Sequence, residues 1–500
     1  VSGRSANALA WIAFVAIAFG VLNAGIGHEA ERELERKTTL DAADVIDGIR
    51  LLYTDSSDPR RYFAYGRATL GRRCSGYFVR SEAAWRREFD EGRERDPDLT
   101  PDLVPARALM PYRDFAVEYP PLVFPLVVPL AAVIDDADRF RVAFGLEMAL
   151  VLTAAVRLGL RLARGLGRPM PPSRIVGWTA MAALLLGVVV THRYDACVSL
   201  AIVATMVAAT EDRPGWTGAA LGVAVGLKLV PVVIVPIVAV RWIVMRRWAA
   251  VVRGISTGAA VVAVALGPLL FVGDDGLAAI LRYHASRPLQ VESTWAAALR
   301  LLTVIDGSEL AVVHSYGSIN VSGTHAATTL AVAPIALVAG LGVTFALSWR
   351  CLARAATDPE RNLIMVRGTI ATIASFLVLG KVFSPQYLVW LIPLGVIVAV
   401  ADGRRSIATF AAILLVTQII YPIGNPALQD GRIWVSVLVV ARNLALLGWA
   451  VGPLLVAHRR RGDRGAQHGD LDEVVVVAER LLRRHEEPED QRARDETEPV

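Results

Sequence analysis

Cysteine is scarce. Cys74, Cys197 and Cys351 are the only three in 500 residues, an odd number set far apart, so neither a disulfide framework nor a cysteine zinc site is indicated. A dominant charge of one sign is also lacking: 52 Lys and Arg face 47 Asp and Glu, a net charge of +5. No basic stripe with interleaved aromatics occurs, so this small excess reads as Arg at helix ends and a nucleic-acid partner is excluded. A Walker loop, a dinucleotide glycine fingerprint after a strand and a His-Glu-x-x-His helix are all missing, which leaves the common nucleotide, redox and zinc-peptidase chemistries without a motif. Asp96-Pro-Asp98 has the form of a metal-binding Asp-x-Asp, but prolines and a charged linker surround it. No cofactor is assigned, and metal dependence stays open. No internal repeat relates the two halves of the chain.

What is abundant is apolar sequence. Hydrophobic residues make up 54% of the chain and the mean hydropathy is +0.46, outside the range of soluble globular proteins. Charges cluster between apolar runs, which predicts an all-α, polytopic transmembrane helical bundle of about 11–13 membrane segments in a lipid bilayer. The first run, Ala8 to Gly27, follows Arg4 and lacks a small-residue cleavage pattern, so it reads as an uncleaved first span over 1–27. A long polar loop at 28–118 follows, then a transmembrane bundle at 119–273, a second polar loop at 274–325 and a second bundle at 326–456. The tail, 457–500, is charged, with an amphipathic stretch from Leu471 to Arg484 and a disordered acidic end. Short amphipathic helices suited to the headgroup layer are expected at Tyr62–Leu70 and Ala83–Phe89, with a turn-rich linker at Asp96–Asp102 between them and the next span.

Basic loops at Arg241–Arg253, Arg350–Arg367, Arg404–Arg405 and Arg459–Arg461 become cytoplasmic under one assignment, which puts both polar loops on the opposite face. Arg157, Arg161, Arg164, Arg168 and Arg174 agree with it if 119–134 is re-entrant and 215–240 is a pair of short helices hinged at Lys228–Pro231. The alternative is about twelve plain spans with an Arg-rich outer loop.

Polar groups that could carry chemistry gather where spans meet the outer loops. Asp114 and Glu118 lie four apart at a membrane boundary, where ionised side chains need water, a partner or a substrate. Pro120, Pro121, Pro125 and Pro129 then prevent entry as a plain helix. Asp58 opens the first amphipathic helix, as an N-cap or as a general base. Asp195 ends the polar tetrad His192-Arg-Tyr-Asp195 between two apolar runs. Lys228 stands inside an apolar run with no acidic neighbour in sequence, and such a cation calls for an anion, a lipid phosphate for instance, or snorkels to the interface. His284, Arg287, Gln290 and Glu292 fall in one short stretch, and Lys381, Ser384, Gln386 and Tyr387 in another at a Pro-interrupted junction. Arg binds phosphate bidentately, while Gln and Glu bind sugar hydroxyls.

Four stretches in order, Tyr112-Arg-Asp-Phe-Ala-Val-Glu-Tyr-Pro-Pro121, Gly226-Leu-Lys-Leu-Val-Pro231, Arg287-Pro-Leu-Gln-Val-Glu-Ser293 and Lys381-Val-Phe-Ser-Pro-Gln-Tyr387, resemble the GT-C superfamily of integral-membrane glycosyltransferases. Within it the chain is similar to the actinobacterial polyprenyl-phosphate-mannose-dependent α-mannosyltransferases of glycosyltransferase family 87, over residues 5–455. The resemblance implies inverting transfer of a sugar, mannose in those enzymes, from a polyprenyl-phosphate donor to a hydroxyl of a cell-envelope glycolipid or polysaccharide. The site would lie on the extracytoplasmic face of the cytoplasmic membrane. It implies Asp58 or Asp114 as general base with Glu118 as a second acid, and Lys228, Arg287 and Lys381 at the donor phosphate. His284, Gln290, Glu292, Ser384, Gln386, Tyr387 and Asp195 would contact sugar or acceptor. The family's acid usually follows the first span closely, whereas Asp58 comes some thirty residues later, so Asp58 and Asp114 both stay open. A phosphate leaving group needs electrostatic stabilisation more than protonation, and an inverting transfer needs one base rather than a retaining dyad. A multi-span transporter or lipid flippase shares broken helices and isolated charges. The absent repeat and the two long loops favour the enzyme.

Overall fold

The computed structural model describes residues 57–79, 100–272 and 276–486, with side chains between Asp58 and Arg459. The expected first span, the helix at 83–89, most of the 96–102 linker and the acidic end beyond 486 lie outside the described residues. Eight of the described helices are long and apolar enough to cross a membrane, so the chain is a multi-pass helical membrane protein.

The described residues open with α1 (Ser57–Thr69) and a small antiparallel ladder of β1 (Cys74–Ser75) and β2 (Asp102–Leu103). A 3₁₀ turn at Pro121–Val123 leads into α2 (Phe124–Val133), which is followed by α3 (Ala137–Arg164), α4 (Pro172–Leu186), α5 (Asp195–Thr210) and α6 (Pro214–Leu227). After a second 3₁₀ turn, Val230–Ile234, come α7 (Val235–Val244) and α8 (Trp248–Leu266). The second polar loop holds α9 (Gly276–Ser286), β3 (Leu289–Gln290), α10 (Thr294–Asp306), β4 (Leu310–Ser315) and β5 (Ser318–Gly323). Its three strands form an antiparallel sheet in the order β3-β5-β4, an element that the all-α expectation did not contain. The chain closes with α11 (Ala326–Ala353), α12 (Asp358–Leu379), a 3₁₀ turn at Pro385–Leu391, α13 (Ile392–Asp402), α14 (Arg404–Gln418), α15 (Asn425–Gln429) and α16 (Ile433–Glu486). The stretch 471–484 continues α16.

One end of the bundle is tied by charge. Arg161 of α3 bonds Glu211 after α5, and Trp242 of α7 donates to Asp212 at 3.1 Å. Arg241 and Asn362 join α7 to α12 at 3.2 Å, and Asn362 reaches the Gly165 carbonyl. Arg168 donates to the Ala401 carbonyl and Arg367 pairs with Asp402. The loops α3–α4, α5–α6, α7–α8 and α13–α14 therefore meet at this end, and the Arg-rich α3–α4 loop sits with them.

α1 and α2 lie at the other end, side by side and parallel. Arg61 of α1 pairs with Glu118 before α2, and Arg67 near the end of α1 pairs with Asp135 just after α2. Gly66 makes the approach possible, since a Cβ there would sit 2.6 Å from the Ala131 methyl. With its lead-in turn α2 covers Pro121–Val133, roughly 20 Å at 1.5 Å per residue. It hands over to the end of α3 remote from the charged loops, so it does not carry the chain across. α1 buries Tyr62, Tyr65 and Ala68, and the Tyr62 ring packs 5.2 Å from Phe144 and 5.8 Å from Tyr194. Its aromatic face thus turns into the protein, not toward lipid headgroups as expected from sequence.

Two short helices shape the interior. α5 has 16 residues and α6 has 14, lengths of roughly 24 and 21 Å, while a bilayer core is about 30 Å thick. Both begin or end at a polar residue, Asp195 and Lys228, and the chain returns from Lys228 through α7 to the charged end. A recess is left above them.

Candidate active site

That recess is a cavity of about 660 Å³. Eleven of the thirteen residues singled out in the sequence line it. They are Asp58 and Glu118 from the first loop, Lys228 at the α6 hinge, His284, Arg287, Gln290 and Glu292 from the second loop, and Lys381, Ser384, Gln386 and Tyr387 from the α12–α13 junction. Asp195 sits directly beneath it, and Asp114 lies elsewhere.

Asp114 belongs to a turn that is not helical, so its four-residue spacing from Glu118 does not put the two on one face. Arg107 grips its carboxylate with both nitrogens, at 2.8 and 3.1 Å, Arg113 adds a contact at 3.1 Å, and the Met110 amide donates at 2.8 Å. Those bonds, from Arg107 first and then Arg113 and Met110, hold its carboxyl well below the usual range. Glu118 turns the other way. It pairs with Arg61 and accepts from Tyr65 Oη at 2.7 Å. Burial alone would raise its carboxyl, but Arg61 and Tyr65 outweigh it and hold it below the ordinary value.

Asp58 stands in the first turn of α1 and is buried. Its carboxylate pairs with Arg193, accepts from Tyr119 Oη at 3.3 Å, and has Arg61 at 3.7 Å. The tetrad around Asp195 thus delivers Arg193 to the first-loop acid and Asp195 to the floor.

Lys228 has a partner after all. Its Nζ donates to both Asp195 oxygens, at 2.8 and 2.9 Å, and lies over the rings of Tyr194, Tyr387 and Trp390. Trp390 Nε1 also donates to Asp195, at 2.6 Å. The anion that this cation needs comes from a residue 33 positions away in the chain, and no lipid phosphate is required to neutralise it.

The third and fourth motif stretches are fastened together. The Gln290 amide donates to the Lys381 carbonyl at 3.0 Å, and the Phe383 amide donates to Gln290 Oε1 at 2.8 Å. Thr294 and Trp295 anchor the start of α10 to the Val378 and Leu379 carbonyls. Lys381 Nζ donates to the Ala285 carbonyl at 2.6 Å. Burial and the adjacent Arg287 charge lower its ammonium below the ordinary value. Desolvation in the cavity and the same guanidinium lower the His284 imidazole. Among the described residues neither Arg287 nor Lys381 has a carboxylate partner, and Arg287 Nε is buried without a hydrogen bond.

Apolar side chains finish one wall: Leu229, Val232 and Val233 before α7 and Ala333, Pro334 and Leu337 from α11. The polar wall also contains Arg193 of the tetrad and five residues with no role assigned from sequence, namely Arg61, Tyr119, Tyr283, Tyr316 and Trp390. Their signal was weak because Tyr and Arg near a membrane boundary read equally well as interface anchors. Among the described residues no three His, Cys, Asp or Glu side chains group to hold a metal ion.

A cavity that pairs unneutralised cations and buried carboxylates with an apolar wall suits a ligand with an anionic head and a lipid tail. The sequence pattern of glycosyltransferase family 87 matches residues 117–380, a span that includes Glu118, Lys228, Arg287 and Glu292 and stops one residue before Lys381. No curated protein matches the chain in sequence. The transporter and flippase readings give way to this match. It covers more than half of the 500 residues, and the chain belongs to glycosyltransferase family 87.

Proposed function

We propose that this glycosyltransferase moves a sugar, mannose, from a polyprenyl-phosphate donor to a hydroxyl of a cell-envelope glycolipid or polysaccharide. The transfer inverts the anomeric centre and takes place on the extracytoplasmic face of the cytoplasmic membrane. The observation that carries the reading is the pair Arg287 and Lys381, two cations without carboxylate partners among the described residues, in one cavity with Asp58 and with the apolar wall of Leu229, Val233 and Leu337.

Arg287 and Lys381 receive the phosphate, which stays ionic as it leaves, so fixed cations stabilise it without proton transfer. Lys228 spends two of its three N–H donors on Asp195 and has one left for the phosphate or the sugar. The polyprenyl chain runs along the apolar wall. Asp58 accepts the proton of the attacking hydroxyl, with Arg61 and Arg193 fixing the carboxylate. Glu118 orients Arg61. His284, Gln290, Glu292, Ser384, Gln386 and Tyr387 contact the sugars. Asp114, outside the cavity and clamped by two Arg side chains, is not the base in this scheme.

The test is transfer from polyprenyl-phosphate mannose to a lipid-extract acceptor by purified protein in bilayers. Wild type transfers. Asp58→Asn loses about 10²–10⁴-fold in rate, the usual contribution of a general base, and still binds donor; Asp114→Asn transfers like wild type. No transfer from any polyprenyl-phosphate donor refutes the donor class, and loss in Asp114→Asn alone reverses the choice of base.

A further inference from the structure

Behind the cavity wall lies a buried pair that is not closed. Glu292 and Arg442 are both almost wholly inaccessible, yet Arg442 Nη1 stops 3.8 Å from Glu292 Oε2. Neither atom has a hydrogen-bond partner among the described residues. A buried carboxylate and guanidinium without hydrogen bonds on their facing atoms are expensive, and a structural ion pair normally closes to bonding distance. The rest of Arg442 is firmly held. Its Nε donates to Asn443 Oδ1 at 2.8 Å, Nη2 reaches the Glu292 carbonyl at 3.4 Å, and the guanidinium lies 4.1 Å over the Phe383 ring. Asn443 is itself tied to Thr294. The guanidinium is therefore fixed just short of the carboxylate, and Glu292, not Arg442, lines the cavity.

The position of Glu292 tells which ligand it meets. It follows Arg287 by five residues on the strand segment that Gln290 fastens to the Lys381–Phe383 loop. Arg287 and Lys381, which have no carboxylate partner among the described residues, thus share one rigid wall with Glu292, whereas Asp58 and Glu118 come from the first loop. Resting on the proposed donor class, we infer that Glu292 reads a hydroxyl of the donor sugar, with Arg442 as the positioning residue behind it. The hydroxyl donates to the Glu292 carboxylate from the cavity side, while Arg442 holds that carboxylate from behind. A carboxylate built to accept one hydroxyl discriminates strongly against the sugar that lacks it.

The experiment uses the full chain in bilayers and two readouts: binding of polyprenyl monophosphate, which has no sugar, and kcat/KM for polyprenyl-phosphate mannose beside its monodeoxy analogues. Wild type should lose about 10–100-fold on one analogue, the loss of one hydrogen bond to a charged group. Glu292→Gln should lose a similar factor on the parent donor and little more on that analogue, because the two changes remove the same bond. Arg442→Met should narrow the parent-to-deoxy ratio in the same way, and the monophosphate should bind wild type and Glu292→Gln alike. A Glu292→Gln enzyme that keeps the wild-type ratio overturns the inference while leaving the donor class standing. So does equal weakening of the monophosphate, which marks a structural pair. Failure of wild type to use any polyprenyl-phosphate sugar removes the donor class and this inference with it.

Discussion

Lys228 Nζ lies 2.8 and 2.9 Å from the two carboxylate oxygens of Asp195, and this pair closes the floor of the cavity where α5 begins and α6 ends. Both side chains are nearly buried, at 11% and 1% exposure. Removing one partner strands the other charge, so Asp195→Ala or Lys228→Ala should each cost about 3–5 kcal/mol, while replacing both together by apolar residues should cost much less. Unfolding of the purified protein in detergent measures this. Single substitutions that leave the midpoint unmoved would mean that water, not the partner, solvates each charge.

Arg287 and Lys381 make a prediction of the opposite kind, because no carboxylate among the described residues neutralises them. Each charge-assisted bond to a phosphate oxygen contributes about 1.5–3 kcal/mol. Arg287→Gln and Lys381→Gln should therefore each weaken polyprenyl monophosphate by about tenfold or more, with thermal stability unchanged or improved by relief of the repulsion between them. Wild-type affinity in either variant would take that residue out of the phosphate site.

Much of this was legible in the sequence because membrane proteins announce their spans. The apolar runs, the hinge at Lys228–Pro231 and the grouping of the 287–293 and 381–387 stretches all follow from local composition. The partners were not legible. Asp195 and Lys228 are 33 residues apart, Arg61 and Glu118 are 57 apart, and no local rule links such positions. Asp114 looked as promising as Asp58 because both are acids beside aromatic residues and arginines. What separates them is direction: the turn at Pro111–Phe115 sends Asp114 to Arg107, and the first turn of α1 sends Asp58 to the cavity. The sheet of β3, β4 and β5 went unseen because β3 has only two residues and the strands lie in a loop with helical stretches on either side.

The crossing of α6 and α8 depends on absent side chains. A Cβ at Gly218 would collide with the Gly254 carbonyl oxygen and come within 2.9 Å of the Gly258 amide nitrogen. Backbone atoms cannot move aside as a side chain tip does, so the helices must separate. Gly218→Ala should destabilise by about 1–3 kcal/mol, the usual range for overpacking. Gly177→Ala, where a Cβ meets nothing within 4 Å, should be neutral or slightly stabilising through helix propensity. Thermal unfolding of the two variants side by side decides it: equal midpoints would show that α6 and α8 can part at no cost.

Glu292 should leave a signature in the pH dependence of stability. Burial raises its carboxyl from the ordinary 4.5 to about 7, and the pull of Arg442 only partly opposes this. Between those values the unfolded chain has released the proton and the folded chain still holds it. Stability contributed by this group is therefore full below about pH 4.5 and falls as pH rises toward 7, by at most about 1.4 kcal/mol per unit. Glu292→Gln cannot release a proton in either state, so its stability should decline less than that of wild type over the same interval, and the two curves should run parallel above it. Unfolding midpoints of both proteins from acid to neutral pH supply the test. Curves that stay parallel throughout would show that Arg442 offsets the burial and keeps Glu292 ionised in the folded protein as it is in the unfolded chain.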